Sequence, residues 1–71
     1  MKTVKTRKEV EHILKGFILN HMAVEFKHNK QYFKLSVNKA RQQFEVDTVH
    51  NKQYFDGSWK LVDYVLEVCG Y

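Results

Sequence analysis

Four histidines and one cysteine, His12, His21, His28, His50 and Cys69, are the only soft metal ligands in the 71-residue chain. A structural zinc site takes its ligands in close pairs, such as Cys-x2-Cys or His-x3-His, and these five residues form no such pair. The chain also lacks a nucleophile elbow and a phosphate-cradling glycine loop. Asp63 and Glu67 stand one helical turn apart, on what reads as a solvated stripe. Cys69, beside Gly70, reads as a small core residue rather than a reactive thiol. So short a chain has little room for a ligand pocket of about 300 Å3 or more. These residues predict a non-enzymatic protein with no catalytic residues, no metal and no cofactor.

The cations carry a second chemistry. Lys2, Lys5, Arg7 and Lys8 fall in the first eight residues. Lys27, Lys30, Lys34, Lys39 and Arg41 fall between 27 and 41, a stretch with no acid. Tyr32, Phe33 and His28 lie among them, so the segment combines phosphate-binding charge with rings that could stack on bases. The net charge is +4, and the acids concentrate after residue 41.

These residues must be positioned by helices and strands. Thr6-Arg7-Lys8-Glu9 is a capping box, and Val10, Ile13, Leu14, Phe17 and Ile18 follow at helical spacing, so a first helix is expected over 6–21. From Met22 the period changes to two. With Asn29-Lys30 as a two-residue turn, His28 faces Gln31, Phe26 faces Phe33, Val24 faces Leu35 and Met22 faces Val37. Asn tolerates the positive φ of a type I′ turn, and Lys is a poorer second residue than Gly. A second turn with Lys39-Ala40 at its tip would set Leu35 opposite Phe44, Phe33 opposite Val46, Lys34 opposite Glu45 and Tyr32 opposite Asp47. Lys34 would then lie between Glu25 and Glu45. Asp56-Gly57-Ser58 is turn and cap chemistry, and a helix over 58–69 presents Trp59, Leu61, Val62, Val65, Leu66, Val68 and Cys69 as a broad apolar face, with Gly70 as its stop.

The expected fold is α+β in the order α-β-β-β-α: a three-stranded antiparallel meander, order 1-2-3, with two helices on one face. It forms a single domain over 1–71, with residues 1–5 as a flexible basic arm. Element order is shared with double-stranded-RNA-binding domains, but Ser58-Trp59-Lys60-Leu61 lacks the lysine cluster that grips phosphate there. In this register Phe33 points into the core and Lys34 is balanced by acids. The candidate nucleic-acid-binding residues are therefore Lys2, Lys5, Arg7 and Lys8 of the arm, and Lys27, His28, Lys30, Lys39 and Arg41 at hairpin ends.

Two strand edges, Ala23–Lys27 and Phe44–Val49, would be open to strand addition or to an edge-strand dimer. Val49 and Tyr54 are under-buried beside the second edge, which makes them candidate contacts with a protein partner or a second copy. The expected function is an interaction or regulatory module using a sheet edge or the second helix, with nucleic-acid binding as the alternative. No apolar run approaches the ~20 residues that span a bilayer. The N-terminus has no signal-peptide pattern and one cysteine permits no intrachain disulfide, so no membrane partner and a cytoplasmic setting are expected.

The segment HNKQYF occurs at His28–Phe33 and again at His50–Phe55. The same turn geometry in the second copy would make Asn51-Lys52 a turn, with His50 facing Gln53 and Thr48 facing Phe55. Whether 50–57 then forms a fourth short strand or a loop stays open. Phe44-Glu45-Val46-Asp47, followed by Asn51–Asp56 and an apolar helix, resembles the C-terminal half of the YkuJ-like family of small, uncharacterised Gram-positive bacterial proteins. The similar part covers about the last thirty residues. The chain departs from that pattern at Gly57-Ser58-Trp59 and in its first hairpin turn. The resemblance implies an α-β-β-β-α fold and a soluble, non-enzymatic protein, and assigns no role.

Overall fold

Two amphipathic stretches and a run of alternating ones meet on a single core. A computed structural model describes all 71 residues, in the order β1 (Lys2–Val4), α1 (Arg7–Asn20), β2 (Val24–His28), β3 (Gln31–Asn38), β4 (Gln43–Asp47), β5 (Lys52–Phe55) and α2 (Ser58–Val68). The fold is α+β. The strands form one five-stranded mixed sheet in sequential order, with β1 parallel to β2 and the other neighbours antiparallel. Val10, Ile13, Leu14 and Phe17 of α1 and Leu61 and Val65 of α2 bury against Val4, Phe26, Phe33, Leu35 and Val46. The other face of the sheet carries no helix.

The capping box closes α1. Thr6 Oγ1 accepts the Glu9 N–H at 3.2 Å, and Glu9 accepts the N–H groups of Lys5 and Thr6, each at 3.2 Å. His21, at φ 58°, ends the helix with an N–H bond to the Phe17 carbonyl. In α2, Gly70 at φ 91° makes a Schellman close: Gly70 N–H donates to Glu67 O and Tyr71 N–H to Leu66 O. This turn carries Tyr71 back towards the sheet.

The β2–β3 hairpin has the expected register, from Val24 opposite Leu35 to His28 opposite Gln31. Asn29 (φ 50°) and Lys30 (φ 65°) make the type I′ turn. Met22 is 70 % exposed and lies before β2, so it does not reach Val37.

Four expectations are corrected. First, the sheet has five strands rather than three: β5 extends the antiparallel meander to four, and the N-terminal segment is not an arm but a parallel fifth strand. Lys2–Val4 pairs in parallel with Phe26–His28, and Val4 is buried. Second, β4 is shifted by two residues: Leu35 faces Val46, Val37 faces Phe44 and Lys34 faces Asp47. A two-residue tip would force Lys39 and Ala40 to positive φ. Instead the chain uses a four-residue loop, in which the Asn38 side chain accepts the Arg41 N–H at 3.0 Å and Gln42 takes φ 55°. A shift of two preserves which residues face the core. Third, 52–55 is a strand, and Asn51-Lys52 is not a turn. The Thr48 hydroxyl gathers the 48–51 loop by accepting the N–H groups of His50 and Asn51 at 3.3 and 3.2 Å. Asp47 then faces Lys52, whereas the expected register would have set it opposite Asp56, a like charge. Fourth, the edges at Ala23–Lys27 and Phe44–Val49 are covered, for the most part, by β1 and β5. The outer strands that remain are only three and four residues long.

Gly16 lies inside α1, with negative φ and no atom within 4 Å of where a Cβ would stand. Glycine in a helix interior is destabilising by roughly 0.5–1 kcal/mol relative to alanine. Gly16→Ala is therefore expected to stabilise the fold by about that amount. The midpoint of urea unfolding measures it, and an unchanged or lowered midpoint would contradict this account of the site.

Candidate functional site

The two HNKQYF copies lie at the same end of the sheet and border one cleft. Lys30, Gln31, Tyr32 and Phe33 come from the first copy and His50 and Asn51 from the second. Thr48 and Val49 of the β4–β5 loop and Tyr64 and Val68 of α2 complete it, around a volume of about 210 Å3. Phe33 is fully buried and backs the floor. Tyr64 is held by its ring against Phe55, 5.2 Å between centroids. Val49, an apolar side chain 76 % exposed, stands at the rim. No carboxylate lines the cleft, and Lys30 is its one lysine.

The first copy is positioned by His28, which is fully buried. Its Nδ1 lies 3.1 Å from the Val4 carbonyl, and its Nε2 lies 3.0 Å from the Tyr71 hydroxyl and 3.2 Å from the Asn29 amide. A carbonyl only accepts, so Nδ1 carries the proton and Nε2 accepts from Tyr71 and Asn29. This corrects the expectation that His28 contacts nucleic acid: both ring nitrogens are used inside the fold.

The other expected cations divide between two ends. Val4 pairs with His28, so Lys5, Arg7 and Lys8 lie at the end that carries Lys30. Arg7 is paired with Glu11 at 3.4 Å. Lys39 and Arg41 occupy the β3–β4 loop at the far end of an eight-residue strand, a separation of about 25 Å. Lys27 is exposed opposite Tyr32 on the helix-free face, and Lys2 is exposed on β1. Of the expected partner contacts, Val49 borders the cleft and Tyr54 does not. Tyr54 lies half-buried on the helix-free face, under the Arg41 guanidinium at 4.0 Å. Arg41 also donates to Gln43 Oε1 at 3.0 Å. Tyr64 and Val68 were not among the expected site residues. Val68 belongs to the apolar face read from the sequence, whereas Tyr64 falls outside that face and only its packing on Phe55 brings it to the cleft.

Outside the cleft, two neighbouring acids shift in opposite directions. Glu45 and Asp47 stand two apart on β4, on the helix-free face. The Asn38 amide, donating to Glu45 Oε1 at 3.0 Å, holds the Glu45 carboxyl below its ordinary range. Burial, then the Glu45 carboxylate beside it, pushes Asp47 up, and Asp47 Oδ1 is buried with no hydrogen-bond partner. Burial also pushes the Cys69 thiol up to about 11, so it stays a thiol at neutral pH.

No protein-family model, no curated protein and no solved structure matches this chain. No helix is long and apolar enough to cross a membrane.

Two measurements test this geometry. Tyr71→Phe deletes the hydroxyl bonded to His28 and is expected to destabilise by about 1 kcal/mol. His28→Ala also strands the Val4 carbonyl and should cost more, about 2–3 kcal/mol. Equal thermal stability of Tyr71→Phe and the parent would show that the bond is not made. The second concerns Asp47, whose folded pKa lies above its ordinary 3.8. Its protonated form favours the fold, and that contribution is lost as pH rises through the raised value. Asp47→Asn is thus expected to be more stable than the parent at pH 7, with the gap closing as pH falls towards 3.8. An equal gap in denaturant midpoint at both ends of that range would exclude the raised carboxyl.

Proposed function

We propose that the protein is a non-enzymatic interaction module that binds a protein partner at the cleft between its two HNKQYF segments. The observation that carries this reading is the cleft itself: an exposed Val49 on a loop tied by Thr48, beside half-buried Tyr64 and Val68. Exposed apolar side chains beside a preformed depression are what a partner's anchor side chain uses. Its volume, about 210 Å3, is below that of most small-molecule sites, at about 300–1,000 Å3, and suits one or two side chains.

The nucleic-acid alternative is weaker on this geometry. Phosphate binding gains from cations gathered along one track. Here His28 is withdrawn into the core, Arg7 is paired with Glu11, and Lys39 and Arg41 lie at the far end of β3 from Lys5, Lys8 and Lys30. The resemblance in the C-terminal half to small YkuJ-like proteins, and a cytoplasmic setting, are compatible with a binding module and add nothing to its site.

Photo-crosslinking tests the proposal. A benzophenone amino acid at position 49 is expected to give a discrete protein adduct in the native host, and the same group at Lys39 is expected to give none. Adducts to nucleic acid at 49, or equal yields of one adduct at both positions, would overturn it.

A further inference from the structure

Lys30 occupies a position that a hairpin ordinarily gives to glycine. It is the second central residue of a type I′ turn, at φ 65°. An L-residue in that region is strained, and strain of this kind concentrates where a side chain has a task. Asn29, the first central residue, has a structural reason to be there: it tolerates the left-handed conformation, and its amide reaches His28 Nε2. The Lys30 side chain makes no hydrogen bond or ion pair within the fold and lines the cleft. The surroundings leave its charge unopposed, since the ten lining residues include His50 but no Asp or Glu. The same cleft is lined by the apolar side chains of Val49 and Val68 and by Tyr64.

Building on the cleft as the binding site, we infer that its ligand is an acidic segment of a protein partner. An apolar side chain seats against Val49, Tyr64 and Val68, and a neighbouring Asp or Glu carboxylate meets Lys30. The apolar wall supplies burial, and the lysine supplies orientation and charge selection. The turn thereby gives up stability to place a cation at the rim.

Lys30→Gly separates this from a structural role, because it relieves the turn while removing the charge. A displayed library of random peptides is panned against the full chain. Enriched peptides are then synthesised and titrated against the parent and Lys30→Gly, with backbone amide shifts locating the bound site. The expected result is a consensus of one apolar residue flanked by Asp or Glu, with shifts at Phe33, Thr48 and Val68. Lys30→Gly should melt at a higher temperature than the parent, yet bind about tenfold more weakly, as expected for loss of one charge-assisted contact. Peptides that shift the cleft residues without an acidic consensus, or that bind Lys30→Gly as tightly, overturn the inference and leave the cleft as the binding site. Shifts confined to other surfaces, no enrichment, or displacement of the peptide by a mixed oligonucleotide overturn both.

Discussion

The His28 imidazole is the point at which this small fold is tied together. One ring nitrogen bonds the last residue of β1, and the other bonds Tyr71 beyond the end of α2. A fully buried polar ring is costly unless both nitrogens are matched, and here one donor and one acceptor suffice for the neutral form. The same residue ends β2 and leads into the Asn29-Lys30 turn. Its burial therefore fixes where the first HNKQYF copy sits relative to β1 and α2. The cleft inherits that position, since Lys30 to Phe33 follow directly.

The two copies of the repeat show how far identical residues can diverge in use. In the first, His28 is core, Asn29 and Lys30 turn, and the strand begins at Gln31. In the second, His50 and Asn51 belong to a loop organised from outside the repeat by Thr48, and the strand begins one residue earlier, at Lys52. Both end in a phenylalanine directed to the helix side, with Phe33 fully buried and Phe55 packed on Tyr64. The shared letters encode a strand start, Gln-Tyr-Phe, more firmly than they encode a turn. Context decides the rest: Asp47 lies across from Lys52 in the second copy, whereas in the first the charge pair, Glu25 with Lys34, falls just beyond the repeat.

Much of this was legible in the residues, for local reasons. The first helix announces itself through its capping box and period, the second through its period and the Gly70 stop, and the first hairpin through alternation joined to the Asn29-Lys30 turn that fixes its register. The second turn was legible as a turn but not in length, because the Asn38 side chain closes a four-residue loop that backbone propensity alone does not reveal. β1 was hidden for a different reason. Lys-Thr-Val is too short to show a period, and its partner lies past an entire helix. The site suffered from the same blindness. Lys30 and Val49 could be singled out from the sequence, but the wall formed by Tyr64 and Val68 depends on how α2 sits across the sheet.

The parallel pairing of β1 also bears on the order of assembly. From β2 to β5 every neighbour is joined by a loop of two to four residues, so those contacts close with little chain entropy at stake. β1 must instead wait for a strand whose contact with Val4 is 24 residues away, and Tyr71 for a histidine 43 residues away. Contacts at such separations are the slow ones to form. The meander can therefore assemble first and the N-terminal strand zip on last, with the two ends of the chain converging on one ring as the final event.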